Sequence, residues 1–171
     1  MNKIVLTGYM ASGKTTIGKL LSQSSGLKYV DLDEVIEQTA ATDIKTIFKE
    51  KGEVYFRKLE HQVLKDVLAK DEECILALGG GTPCYTNNHL LLQDDNVISV
   101  YLKASIAELV LRLENNKHER PLLADVTDDE LEEFVAKHLF DRAYYYNHAK
   151  HIIAVDGKLP ETIVNEIMSI F

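Results

Sequence analysis

The sequence is poor in residues that mark several protein classes. It has no tryptophan, three prolines and two cysteines in 171 residues. Cys74 and Cys84 cannot build the framework of bridges that stabilises small secreted domains, so we expect a reduced, cytoplasmic protein. Their spacing matches no metal motif, and His148 and His151 are followed by no third ligand at zinc spacing. We therefore expect no zinc site.

Long hydrophobic runs and an excess of positive charge are also missing. The apolar runs at 75–78 and 97–100 are far shorter than the ~20 residues that a membrane span needs. Asn2 and Lys3 lead straight into a strand pattern, so we expect neither a signal peptide nor an anchor. Nineteen basic residues against 27 acidic ones give a net charge of −8, which repels nucleic-acid backbones. We expect neither a membrane nor a nucleic acid as a partner.

The hydrophobic content of 46% is enough to bury a core, and its pattern indicates the fold class. Short apolar runs alternate with amphipathic stretches at helical spacing, which is typical of parallel strands joined by crossover helices. The sequence therefore predicts one domain over residues 1–171, a three-layer α/β sandwich with a five-stranded parallel central sheet. The predicted strands are 3–7, 27–32, 75–78, 97–102 and 152–155. The predicted helices are 14–22, 34–39, 44–68 with a break near Gly52, 89–92, 105–113, 130–147 and 160–171. The spacing of Thr127 and Glu130 predicts a capping box at the start of the helix at 130–147.

A glycine-rich motif follows the first predicted strand and opens the first helix. Residues 8–15 read G-x-x-x-x-G-K-T, with Gly8, Gly13, Lys14 and Thr15 at the defining positions. Glycines at these places allow successive N–H groups to surround phosphate oxygens, and the helix N-terminus adds partial positive charge. Lys14 would reach the β- and γ-phosphates, and the Thr15 hydroxyl would bind Mg²⁺. The alternative is a plain turn with an incidental Lys-Thr pair.

The sequence also disfavours two common classes of nucleotide-binding protein. The third predicted strand ends in glycines 79–81 rather than the aspartate of ordinary ATPases, and Asn116-Lys117 is not followed by the residues of a guanine-specificity motif. Asp31 and Asp33 lie at the end of the second predicted strand, and in extended geometry side chains two residues apart point to the same side. We expect both carboxylates near the phosphate loop. Asp33 could also, or instead, cap a helix beginning at Glu34.

Taken in order along nearly the whole chain, the motifs resemble those of the shikimate kinases. They are G-x-x-x-x-G-K-T-T at 8–16, D-x-D at 31–33, I-F-x-x-x-G-E-x-x-F-R-x-x-E at 47–60, G-G-G at 79–81, R-P-L-L at 120–123 and R-x-x-Y-Y at 142–146. The resemblance implies the P-loop kinase fold with a mobile lid. It also implies phosphorylation of the 3-hydroxyl of shikimate by ATP with Mg²⁺. A substrate-binding region at about 33–61 and a lid at about 113–127 would belong to that single domain.

The resemblance also implies roles for individual residues. The catalytic residues would be Lys14, Asp33 and Arg120. ATP would be bound by Gly8, Ala11, Ser12, Gly13, Lys14, Thr15, Thr16, Arg112 and Arg120, with the loop 155–158 across the adenine pocket. Shikimate would be bound by Asp33, Arg57, Gly79, Gly80, Gly81 and Arg142, and Mg²⁺ by Thr15 and Asp31. Nothing in the composition indicates an oligomer, so we expect a monomer.

Simpler interpretations stay open for several of these residues. Arg57 could form a surface ion pair with Glu60, although that contact could equally orient Arg57 for a substrate carboxylate. Arg142 could pair with nearby acids, and Arg120 could be a solvated loop charge. Phe48 and Phe56 could wall the acceptor site or fill the core. At the level of function, the alternatives are another kinase of the same fold, such as a gluconate or nucleotide kinase, and a non-catalytic nucleotide sensor.

Overall fold

The computed structural model describes residues 3–114 and 123–171, and its strands form one sheet. The strands are Lys3–Thr7 (β1), Lys28–Asp31 (β2), Cys74–Ala77 (β3), Val97–Lys103 (β4) and His151–Ala154 (β5). The helices are Lys14–Ser25 (α1), Leu32–Ala40 (α2), Ile44–Ala69 (α3), Asn88–Leu91 (α4), Ile106–Glu114 (α5), Asp128–Tyr146 (α6) and Pro160–Met168 (α7). Every adjacent strand pair is parallel, which confirms the predicted sheet.

The sheet separates two hydrophobic cores, and β1 shows why. Successive side chains of a strand point to opposite faces, so Ile4 and Leu6 enter one core and Val5 enters the other. Helices α1, α5, α6 and α7 contribute to the first core, and α2 and α3 contribute to the second. This is the three-layer sandwich that the sequence predicts.

The order of the strands creates a crevice at the carboxyl edge of the sheet. The order is β2-β3-β1-β4-β5, so the chain leaves the neighbouring strands β1 and β3 in opposite directions. Open α/β sheets bind their ligands at such a point. The loops after the two strands lie side by side there, and the Leu78 N–H donates to the Leu6 carbonyl at 3.0 Å.

Two local features were predicted from the sequence and one was not. The predicted break in the long helix is present, because Gly52 has a φ of 81° inside α3. The capping box before α6 is present as well, with Glu130 Oε2 accepting from the Thr127 N–H at 3.1 Å. A short 3₁₀ turn at Thr82–Cys84 was not predicted. Within the described ranges, none of the helices is both long and apolar enough to cross a membrane.

Candidate active site

The loop between β1 and α1 has the conformation that its glycines make possible. Gly8 and Gly13 have φ values of 148° and 101°, which side-chain-bearing residues rarely adopt. A Cβ on Gly8 would lie only 2.7 Å from Ser12 Oγ. Lys14 Nζ donates to the carbonyl oxygens of Gly8 and Tyr9 at 2.8 and 2.9 Å, so the ammonium group lies against the loop.

The environment of this loop suits an anion. Ser12 Oγ is buried and has no hydrogen-bond partner among the described residues. The loop also stands at the N-terminus of the 12-residue helix α1, where N–H groups without helical partners face the crevice. A cavity of about 570 Å³ opens here, and its lining includes the loop from Met10 to Thr16, both Asp31 and Asp33, and Arg112.

Asp31 and Asp33 reach the cavity by a different geometry from the one predicted. β2 ends at Asp31, which caps α2 by accepting the Asp33 N–H on Oδ1 at 3.0 Å. The alternative that the sequence left open, an Asp33 cap before a helix starting at Glu34, is therefore not what forms. Asp31 has the extended backbone that an N-cap needs, with φ −99° and ψ 123°, whereas Asp33 already lies in the first helical turn. The cap still brings both carboxylates to one cavity.

Asp33 occupies an unusual electrostatic position. Burial, together with the charges of Asp31 and Glu60, raises the pKa of Asp33 to about 6, although the charge of Lys14 opposes the rise. A carboxyl group that titrates near neutral pH can accept a proton during turnover and release it afterwards. Perturbed groups of this kind concentrate at functional sites.

The three glycines after β3 lie against functional side chains, and at two of them a Cβ would crowd its neighbour. A Cβ on Gly79 would lie 3.0 Å from Asp33 Oδ1, and one on Gly81 would lie 3.0 Å from Arg57 Nη2. A Cβ on Gly80 would lie 3.4 Å from the Met10 backbone nitrogen and 3.7 Å from Arg142 Nη1. The glycine segment therefore brings an aspartate and two arginines together beside the phosphate loop.

Arg57 is held on several sides. Its Nη1 donates to Glu60 Oε2 at 2.8 Å, and its guanidinium lies 3.9 Å from the centre of the Tyr85 ring. Glu60 is 1% exposed, so this is not the surface ion pair that the sequence left open. The contact with Glu60 predicted from the i,i+3 spacing is present. Phe56 fills the core, and Phe48 packs on it with ring centres 4.5 Å apart.

Helix α6 presents three consecutive turns of one face to the site, at His138, Arg142 and Tyr146. His138 Nδ1 lies 2.9 Å from the hydroxyl of Tyr9 in the phosphate loop, and the Tyr146 hydroxyl donates to the Gly80 carbonyl at 2.6 Å. Between them, Arg142 is 8% exposed and has no ion-pair partner in the described part of the chain. A nearly buried guanidinium without a carboxylate is a natural receptor for an anionic ligand.

Arg112 lies against the phosphate loop and lines the cavity. Its Nη1 donates to the Ala11 carbonyl at 3.1 Å, and its Nε donates to Glu108 Oε1 at 2.7 Å. Lys158, from the loop predicted to face Arg112, also lines the cavity. Arg120 and the greater part of the predicted lid lie outside the described residues.

Four side chains of the site were not singled out from the sequence: Tyr9, Thr82, Tyr85 and His138. Their contacts join segments far apart in the chain, such as Tyr9 with His138 and Thr82 with Glu60. No local spacing marks such pairs, although the position of Thr82 and Tyr85 just after the three glycines was a usable signal.

Comparison with known proteins identifies close relatives. The family model described as shikimate kinase matches residues 10–171. A shikimate kinase of Flavobacterium psychrophilum is 58% identical over 170 residues, covering 99% of both chains.

Solved structures agree with this result. A shikimate kinase from Bacteroides thetaiotaomicron superposes with a TM-score of 0.89 at 32% identity, covering 99% of this chain and 97% of that one. A shikimate kinase from Acinetobacter baumannii in complex with shikimate gives a TM-score of 0.85 at 29% identity, with coverage of 99% and 92%.

Proposed function

This chain belongs to the shikimate kinase family, and we propose that its cleft transfers the γ-phosphoryl group of ATP to the 3-hydroxyl of shikimate. The family makes it a small-molecule kinase with ATP and shikimate as substrates. One observation carries the proposed site: glycines 79–81 bring Asp33, Arg57 and Arg142 together beside the phosphate loop. Donor and acceptor would therefore meet within one crevice.

On the ATP side, we assign phosphate binding to the loop from Gly8 to Thr16. Its N–H groups, the N-terminus of α1 and the buried Ser12 hydroxyl would surround the phosphate oxygens. Lys14 would turn from the loop carbonyls to the β- and γ-phosphates, where charge develops in the transition state. Arg112 and Lys158 flank the cavity where the adenine would lie, and Arg112 would stack on it.

Thr15 and Asp31 suit a magnesium ion. Magnesium prefers hard oxygen ligands and commonly keeps several waters. The Tyr29 hydroxyl donates to Asp31 Oδ2 at 3.2 Å and also hydrogen-bonds with Thr15. The side-chain oxygens of Thr15 and Asp31 therefore lie close together beside the loop. Thr15 would bind the ion directly and Asp31 would hold its water. Bound magnesium neutralises charge on the phosphate oxygens.

On the acceptor side, we assign the shikimate carboxylate to Arg57 and Arg142. Planar guanidinium groups hold a carboxylate with two parallel hydrogen bonds, which a lysine cannot do. Arg142 is suited to bind a carboxylate, because it is nearly buried and has no acidic partner in the described ranges. The glycine backbone between the two arginines would approach the ring hydroxyls closely.

Asp33 would accept a hydrogen bond from the attacking hydroxyl and aim it at the γ-phosphorus. Phosphoryl transfer has a loose transition state with little bonding to the nucleophile, so orientation is the main contribution. The raised pKa of Asp33, about 6, also suits the carboxylate to take up the hydroxyl proton as transfer completes.

Three expectations complete the proposal. Arg120, outside the described residues, would reach the transferring phosphoryl group from the lid at 113–127. The enzyme would act as a monomer, because both halves of the proposed site come from one chain. The free thiols of Cys74 and Cys84 support a reducing, cytoplasmic setting.

The proposed roles can be tested with two variants and a matched control. Asp33→Asn should lower kcat by ~100-fold or more while MgADP binding persists. Arg142→Gln should raise the shikimate KM with little effect on the KM for ATP. Lys137→Gln removes the same charge from the exposed face of α6 and should change neither constant. Near-normal kcat in Asp33→Asn would remove Asp33 from the mechanism, and an unchanged shikimate KM in Arg142→Gln would remove Arg142 from the acceptor site.

A further inference from the structure

A buried row of hydrogen bonds lies behind Arg57. Glu60 is 1% exposed and Thr82 is fully buried. Arg57 Nη1 donates to Glu60 Oε2 at 2.8 Å, and the Thr82 hydroxyl donates to Glu60 Oε1 at 2.7 Å. Each oxygen of the buried carboxylate thus has a donor, as burial of a charged group requires.

Thr82 is itself fixed by its backbone. Its N–H donates to the Gly79 carbonyl at 3.1 Å, and its own carbonyl accepts from Asn88 Nδ2 at 2.9 Å. Asn88 is fully buried, and its Oδ1 lies 2.6 Å from His61 Nδ1. The 3₁₀ turn that starts at Thr82 is therefore locked to α3, the helix that carries Arg57 and Glu60.

Glu60 leaves most of the Arg57 fork available. Only Nη1 is bound to Glu60, and Nε lies 3.5 Å from the half-exposed Glu53. Nη2 faces the space over Gly81 and has no hydrogen-bond partner in the described part of the chain. Because Nη1 is bound to Glu60, the orientation of Glu60 contributes to the direction in which Nη2 points.

Building on the proposed function, we propose that Thr82 is a positioning residue for shikimate: its hydroxyl holds Glu60 in the orientation that turns Arg57 toward the substrate carboxylate. Thr82 touches neither reacting group. Its effect passes through two side chains, and it should appear in substrate binding rather than in the chemical step.

Removing the hydroxyl should disturb this arrangement. Valine has nearly the shape of threonine but cannot donate, so Thr82→Val leaves Glu60 Oε1 buried without a donor. An unpaired buried carboxylate oxygen is costly, and rotation of Glu60 toward another donor relieves the cost. That rotation would carry Nη1 of Arg57 with it and misalign the fork.

The experiment compares steady-state constants in four proteins: wild type, Thr82→Val, Thr82→Ser and Ser99→Ala. Ser99, on β4, is the matched control. It is also fully buried, and its hydroxyl donates to the Leu92 carbonyl at 2.7 Å. Thr82→Val should raise the shikimate KM about tenfold, which is the usual consequence of losing a hydrogen bond to a charged group. Its kcat and its KM for ATP should stay within about twofold of wild type. Thr82→Ser keeps the donor and should restore the shikimate KM, and Ser99→Ala should leave it unchanged.

An unchanged shikimate KM in Thr82→Val would overturn the proposal. An equal rise in Ser99→Ala would also overturn it, since the effect would then be general destabilisation. If Thr82→Val does not fold, Thr82→Ala removes the same donor and is judged by the same values. In an Arg57→Lys background, Thr82→Val should add less than about twofold, because coupled residues are not additive. Failure of the wild-type enzyme to use shikimate would instead refute the proposed function.

Discussion

Shikimate binding should weaken as the pH falls through the pKa of Asp33. Burial, together with the charges of Asp31 and Glu60, raises that pKa to about 6. The ionised carboxylate accepts hydrogen bonds from the substrate hydroxyls, whereas the protonated form loses much of that capacity. A group with a pKa of 6 is about 90% ionised at pH 7 and about 10% ionised at pH 5. The association constant for shikimate should therefore fall about tenfold between these two values.

Calorimetric titration of the enzyme with shikimate, without nucleotide, measures this constant directly. The pH range of about 5 to 8 keeps an ordinary substrate carboxylate ionised, so the substrate itself contributes little to the change. Asp33→Asn is the control, because an amide does not titrate, and its weaker binding should stay flat over the range. A flat profile in the wild-type enzyme would refute the reasoning, as would an equal decline in Asp33→Asn.

Three further predictions concern stability and specificity. The folded-state pKa of Asp33, about 6, lies above the ordinary pKa of an aspartate, so folding stability is lost as the pH rises from about 4 to 6. Thermal unfolding should therefore show Asp33→Asn to be about 1–3 kcal/mol more stable than wild type at pH 7 and no more stable below pH 4. An equal gain in stability at pH 7 and below pH 4 would contradict this. Arg142→Lys should raise the shikimate KM at least tenfold because the planar fork is lost, and an unchanged KM would exclude a forked contact. Gly81→Ala should also raise the shikimate KM, since the new Cβ would lie 3.0 Å from Arg57 Nη2. An unchanged shikimate KM would show that the arginine moves without cost.

The sheet and the phosphate loop were predictable because their signals are local. Each signal consists of residues that are close together in the sequence: a β-branched run, two glycines at fixed spacing and a Lys-Thr pair at a helix start. The end of β2 was harder to predict, because the chain changes from extended backbone at the Asp31 cap to helix at Leu32 within the D-x-D motif itself. Element boundaries are often settled by such single contacts.

The acceptor site was predictable only in part. Arg57 and Glu60 lie one helical turn apart, so their contact follows from spacing. The Thr82 and Tyr85 contacts depend on how a 3₁₀ turn packs against α3, which no local pattern encodes. The lack of an acidic partner for Arg142 in the described ranges likewise emerges only from the packing of α6 against the glycine segment.

The central claim is that this cleft phosphorylates shikimate, and the rate of ADP release with MgATP tests it most directly. The rate should be measured with shikimate, with gluconate, with AMP and without an acceptor. We predict rapid ADP release with shikimate and only background rates in the other three reactions. Background rates with shikimate, or a faster reaction with gluconate or AMP, would contradict the account.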